Sequence, residues 1–387
     1  MRILNCHVGV LAFCLCFFLL APVARAAAEG MGEPVIEASS AILVEASTGR
    51  VVYEKNADEV RPPASMTKMM TCILGLENMR PRTIITVSPH AAMTEDSALC
   101  LQPAEQVDAE NLLLGMMTVS DNGAAVAVAE HVDGSVESFA RRMNEKAKEI
   151  GCKDTTFQNP NGLPNDRHLS TARDMARIAA YCMRNQSFRD LVGRKTAVMR
   201  WESPKGKTLG MENTNELLGV YQGITGIKTG WTFAAGGCLA ASAKRDGVEL
   251  IAVVMHAPDT KVRFDDAATL LDYGFSGVKM QRVLSKERVS KRVWVKGGKE
   301  HQVNVGLASD VDYPLLHGEK AEEISVEYEM PRIIEAPVKK GQPVGRLILK
   351  HRGKEVGRMD LVARSDVPSG FSFLSYFFVG LLSYMMK

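Results

Sequence analysis

The strand-like stretches of this chain fall into two blocks that lie far apart in sequence and need each other. Ile42-Leu43-Val44, a Ser47-Thr48-Gly49 turn and Val51-Val52-Tyr53 read as a β-hairpin near the start. Ile227 to Phe233, Cys238 to Ala243 and Val248 to Met255 read as three further strands, the last two joined at Arg245-Asp246-Gly247-Val248, a hairpin turn signal. An isolated hairpin is marginal in water, so the late block is the natural complement of the early one. Between them the apolar spacing is helical, in Ala109 to Met117, Ala124 to His131, Ser135 to Ile150 and Thr171 to Met183, with Asp108 and Thr171 as candidate caps. The expectation is an α+β domain, an antiparallel sheet with a helical cluster, over residues 36–275.

After Gly277 the texture changes to short alternating segments punctuated by Gly and Pro: Arg292 to Lys296, Ile324 to Glu329, Val344 to Leu349 and Glu355 to Val362. That pattern predicts a small all-β domain, of the β-sandwich kind, over residues 276–365, with no catalytic constellation in it. The 47 Lys and Arg nearly balance the 45 Asp and Glu, leaving a formal charge of +2. No basic field holds a polyphosphate backbone, so nucleic acid is excluded as a partner.

The two ends set the compartment. Residues 1–28 carry Arg2, an apolar run from Val8 to Leu20 and Ala24-Arg25-Ala26, the pattern of a secretory signal peptide; the run falls short of the roughly 20 residues that span a bilayer. Cys6, Cys14 and Cys16 leave with that segment, and the remaining Cys72, Cys100, Cys152, Cys182 and Cys238 are scattered, which reads as buried thiols rather than a disulfide framework. Phe371 to Met386 holds no charge, and Ser372, Ser375, Gly380 and Ser383 give it a weakly polar side. Residues 366–387 are therefore expected to associate with the membrane surface, with Asp366, Pro368, Ser369 and Gly370 as a linker.

Three short motifs carry chemistry. In Pro62-Pro63-Ala64-Ser65-Met66-Thr67-Lys68 the prolines should start a helix near Ser65, placing Ser65 and Lys68 three apart on one face, with Met66, Met69, Met70, Ile73 and Leu74 as the buried stripe. A buried lysine can lose its proton near neutral pH and take one from a serine hydroxyl. Ser120-Asp121-Asn122 sits at a junction between two helices, where Ser120 can relay a proton and the Asn122 amide can bind substrate or the lysine; taken alone, it reads as a helix cap. Lys228-Thr229-Gly230 lies in a strand, offering a cation, a hydroxyl and a position without a side chain; taken alone, it is an ordinary edge strand.

In this order the three motifs resemble those of the penicillin-binding and serine β-lactamase enzymes. The wider stretches Ala46-Ser47-Thr48-Gly49, Lys55 to Glu59, Pro62 to Lys68, Ser170 to Met175 and Gly226 to Gly230 resemble the low-molecular-mass D-alanyl-D-alanine carboxypeptidases, from about residue 40 to 275 and more loosely beyond. The resemblance implies a β-lactamase/transpeptidase-like catalytic domain acting on peptidoglycan stem peptides that end in D-Ala-D-Ala, with β-lactams as inhibitors, at the periplasmic or outer face of the cytoplasmic membrane. Ser65 would be the nucleophile, Lys68 the general base and Ser120 the proton relay. Asn122, Lys228, Thr229, Gly230, Trp231 and Arg263 would bind substrate, the N–H groups of Ser65 and Trp231 forming the oxyanion site. No cofactor or metal is implied. Asp121 stands where the family often has glycine, Thr225 where Asp often precedes Gly226, and Trp231 where His or Tyr is usual. A class A-like β-lactamase is a rival, weakened because no Glu occurs between Glu149 and Glu202 to serve deacylation. A non-catalytic β-lactam-sensing or peptidoglycan-binding module is another, weakened because both Ser65 and Lys68 are present.

Overall fold

The computed structural model describes residues 32–370 and residue 384. The expected signal segment, and most of the expected membrane segment, lie outside the described residues. The two strand blocks do complete one another. A five-stranded sheet runs in the order Val51–Lys55, Ser40–Glu45, Val248–Ala257, Gly236–Arg245, Ile224–Thr232, every pairing antiparallel. Ile224–Thr232 is therefore an edge strand.

Ser40–Glu45 is buried along its whole length because both faces of the sheet are covered. Ile42 and Val44 point into a large core shared with the helical cluster. Ala41 and Leu43, alternating with them, point into a second core beneath the helix Val262–Gly277. That helix is absent from the sequence reading, which closed the domain near Phe275 without assigning an element there. Its apolar positions are few, Phe264, Ala267, Leu270 and Leu271, diluted by Asp265, Asp266 and Gly274.

The predicted helices are present as Ala109–Thr118, Asn122–Asp133, Val136–Ile150 and Ala172–Cys182, and a further one spans Lys68–Asn78. Asp108, Asp121, Ser135 and Thr171 each accept a backbone N–H from three residues ahead, satisfying donors that the helix itself cannot. The remaining chain, from Lys279, is all-β. It forms a two-stranded pair and a six-stranded sheet around a core of its own that includes Val293, Val305, Leu347, Leu349 and Leu361.

Two expectations change. Residues 366–370 are not a free linker: Val367 bridges to Val338, Ser369 bridges to Gly298, and the Gly370 N–H donates to the Gly297 carbonyl at 2.7 Å. Backbone pairing there outweighs the turn-forming residue types. Of the cysteines, Cys72, Cys182 and Cys238 are buried and Cys152 is half-buried, but Cys100 is exposed; all five are free thiols.

Candidate active site

Pro62 and Pro63 do not open an α-helix at Ser65. Ala64 adopts a left-handed backbone, φ +49°, and Ala64–Thr67 form a single 3-10 turn, with the α-helix beginning at Lys68. The tighter turn eclipses side chains three apart, and it sets Ser65 directly against Lys68. The Lys68 Nζ lies 2.9 Å from Ser65 Oγ, 2.6 Å from Asn122 Oδ1 and 2.8 Å from the Asn161 carbonyl.

Lys68 has no solvent-accessible surface. Burial pulls its ammonium down to about 7, partly opposed by the Asp121 carboxylate. A neutral amine has two N–H donors and one lone pair. Two fixed acceptors, Asn122 Oδ1 and the Asn161 carbonyl, match the two donors and leave the lone pair facing the serine hydroxyl.

Asp121 itself is fully buried. One carboxylate oxygen accepts from the Ala124 N–H at 2.6 Å, capping the helix, and the other from the Leu99 N–H at 2.7 Å. Burial raises its pKa, an effect countered by these N–H groups. The Asp in Ser-Asp-Asn is thus a structural anchor beside the lysine, while Ser120, in a left-handed backbone at φ +63°, faces the cleft.

Ser65, Ser120, Asn122, Thr229, Gly230, Trp231 and Arg263 line one cleft of about 400 Å3. Lys68 and Lys228 lie beneath it, both essentially without exposure. Lys228 reaches the Thr229 carbonyl at 3.1 Å. Burial, then the nearby Lys68 and Arg263, push its pKa well below the ordinary lysine value. Arg263 makes no pair with Asp265 or Asp266; Asp266 instead accepts the N–H groups of Glu37 and Ala38. Its Nη1 donates to the Gly230 carbonyl at 2.9 Å, and its buried Nε has no partner. Arg263 thus makes no side-chain ion pair, although Asp96 also lines the cleft, and burial lowers the Arg263 pKa.

Gly230 serves a second need beside the one read in the sequence. A Cβ there would meet Ala64 Cβ, the Pro63 carbonyl and the Ser65 nitrogen, each at 3.1 Å. The bare position lets the edge strand press on the turn that carries Ser65, rather than only on substrate.

Several residues of the site carry no sequence motif. The loop Asn159–Gly162 supplies the Asn161 carbonyl to Lys68, and the Asn159 side chain holds the Gly162 N–H at 2.7 Å. His168 braces that loop. Its Nδ1 accepts the Gln158 N–H at 3.0 Å, so Nε2 carries the proton that is donated to Thr67 Oγ1 at 2.8 Å; burial, then Lys68, lower its pKa to about 4. Thr214 meets Thr229 hydroxyl to hydroxyl at 2.6 Å. The only signal was Asn159-Pro160 and Asn161-Gly162, each a turn-forming dipeptide.

Gly162 has φ +88°, and a Cβ on it would stand 2.0 Å from the Ala64 carbonyl oxygen. Gly162→Ala is expected to lower stability by about 3 kcal/mol through overpacking and backbone strain and to slow acylation with it. Urea unfolding beside a penicillin-labelling time course checks both.

A second cleft, of about 430 Å3, flanks the Ser40–Lys55 hairpin, but its Arg173 and Arg177 are paired with Glu54, Asp58 and Asp174.

Two family models match the chain. The family described as D-alanyl-D-alanine carboxypeptidase matches residues 27–259, and that described as penicillin-binding protein 5, C-terminal domain, matches residues 279–369. The chain is similar to the D-alanyl-D-alanine carboxypeptidase DacF of Bacillus subtilis, 36% identical over 86% of each chain. It is also similar to DacC of Escherichia coli, 32% identical over 94% of this chain and 92% of that one. Among solved structures, penicillin-binding protein 5 from Haemophilus influenzae superposes with a TM-score of 0.67 at 29% identity, covering 88% of this chain and 100% of that one.

Proposed function

The chain belongs to the D-alanyl-D-alanine carboxypeptidase family of serine peptidases, and on that premise we propose that Ser65 is the nucleophile that removes the terminal D-alanine from peptidoglycan stem pentapeptides. The observation that carries this assignment is the fully buried Lys68 Nζ, 2.9 Å from Ser65 Oγ and held there by Asn122 Oδ1 and the Asn161 carbonyl.

In this reading Lys68 takes the Ser65 proton as Oγ attacks the carbonyl between the two D-alanines. The N–H groups of Ser65 and Trp231 receive the oxyanion. The tetrahedral species collapses, the C–N bond breaks, and the departing D-Ala nitrogen gains its proton through the Ser120 hydroxyl. Lys228, Arg263, Thr229 and Thr214 supply the cationic, hydroxyl-rich floor for the terminal carboxylate. A water, deprotonated by Lys68, then opens the ester and restores Ser65. A β-lactam would follow the same first half and stay attached, because its leaving group is not released.

Residues 1–28 are assigned as the export signal and the residues after Gly370 as a tether on the membrane surface, a reading supported by the uncharged stretch from Phe371 to Met386. Among the described residues no helix is long and apolar enough to cross a membrane.

The test is D-Ala release from a blocked Lys-D-Ala-D-Ala peptide. Because the base must be the neutral amine and its pKa is lowered to about 7, kcat/KM is expected to climb as pH rises through about 7 and to fall about tenfold per unit below it. A flat profile from pH 5 to pH 8 would remove Lys68 as the base. Rapid turnover of penicillin with no peptide cleaved would favour the β-lactamase reading.

A further inference from the structure

The all-β part carries an exposed apolar pair that no catalytic role uses. In the strand Lys291–Lys296, Val293 and Val295 face the core, while Arg292, Trp294 and Lys296 face outward. Trp294 lies opposite Ile333 of the short edge strand Ile333–Glu335, and the two are 56% and 60% exposed. Arg292 and Lys296 are exposed on the same face as Trp294, and Arg332 is exposed beside Ile333; Lys296 has a loose partner in Glu335, at 3.5 Å, and Lys299 and Glu300 are exposed in the turn that follows the strand. An exposed Trp beside a branched aliphatic residue and flanked by cations has the composition of a surface that sits at lipid headgroup depth.

The position of the chain's departure argues for the same occupant. Lys299 N–H donates to the Pro368 carbonyl at 2.9 Å and Gly370 N–H to the Gly297 carbonyl at 2.7 Å. Gly370 is thus pinned to the turn that directly follows the strand carrying Trp294. From Gly370 the chain passes directly into the uncharged residues 371–386.

We propose that this outward face of the strands Lys291–Lys296 and Ile333–Glu335 is a second membrane contact. Trp294 and Ile333 seat among the headgroups of an anionic bilayer, and Arg292, Lys296, Lys299 and Arg332 lie against the lipid phosphates. The inference builds on the tether reading and adds to it. The β-domain then gives the chain a second point of attachment to the membrane beside the tether.

The experiment measures co-sedimentation with vesicles of equal parts phosphatidylethanolamine and phosphatidylglycerol, against phosphatidylcholine vesicles. Four proteins are compared: the chain from residue 29, the same chain ended after Gly370, and each with Trp294→Ser and Ile333→Ser together. Loss of the C-terminal residues should weaken binding strongly; if it does not, the tether reading fails, whatever the face does. The chain ended at Gly370 should keep weak binding to anionic vesicles that fades with added salt, and the double substitution should reduce it about tenfold. D-Ala release and the thermal unfolding of the all-β part should be the same in each substituted protein and its parent, which reports intact folding of both parts. Equal anionic-vesicle binding by the shortened chain and its double variant overturns the proposal. So does a change of oligomeric state on substitution without a change in vesicle binding, which would assign the face to a second copy of the chain.

Discussion

Ser65→Ala is expected to abolish D-Ala release and covalent penicillin labelling together, a loss on the order of 10⁴-fold or more in kcat/KM. The fold should persist. Ser65 is only half-buried, and the side-chain contact it loses is the one to Lys68. Thermal unfolding should therefore move little while both activities vanish. Chromatography of released D-Ala and gel detection of a fluorescent penicillin read the two outcomes separately. Labelling that survives would pass the nucleophile to another hydroxyl lining the cleft, Ser120 being the first to test.

Lys68→Met is expected to slow acylation on the order of 10³-fold, within the range that a positioned general base contributes. Methionine roughly fills the lysine stem, so the cavity term stays small. What it cannot do is donate to Asn122 Oδ1 and the Asn161 carbonyl, two acceptors that would then stand buried and unmade, at about 1–3 kcal/mol each. Single-turnover labelling across pH gives a readout beyond the rate. The residual activity should lose the limb near pH 7, since the group titrating there has gone. A variant that acylates at the parent rate would mean that Ser65 is deprotonated by something else.

The parts of the site that could be read from sequence are those whose chemistry is carried by side chains at fixed local spacing. Ser65 and Lys68 are one helical turn apart, and Ser120 and Asn122 flank a helix start, so each pair was visible within a few residues. Arg263 was visible as a cation, but its environment was not. Its neighbour Asp266 is taken by the N–H groups of Glu37 and Ala38, from the other end of the domain, so Arg263 turns to the Gly230 carbonyl instead. The contribution of Asn161 is a carbonyl, which every residue has, and only the fold brings it within 2.8 Å of Lys68. Thr214, His168 and Gly162 act through distant partners in the same way. Among the elements, strands with strong alternation were found to within a few residues. The helix Val262–Gly277 was missed because it covers a sheet face already rich in alanine and leucine and needs few large apolar residues of its own.

The centre of the catalytic sheet has a consequence for how the molecule comes into being. Ser40–Glu45 pairs along its length with Val248–Ala257, Ser40 opposite Met255 and Glu45 opposite Leu250. A chain that emerges from its N-terminus first must hold Ala41-Ile42-Leu43-Val44 unpaired on one side until the far partner arrives. Closing so long a loop is slow, and in the interval an apolar strand edge is open to other chains. Val51–Lys55, exposed or half-buried along its length, is available at once as a shield for one edge. The other edge depends on whatever accompanies the nascent chain. The yield of active enzyme on refolding should therefore be governed by protein concentration well before it is governed by the stability of the finished fold.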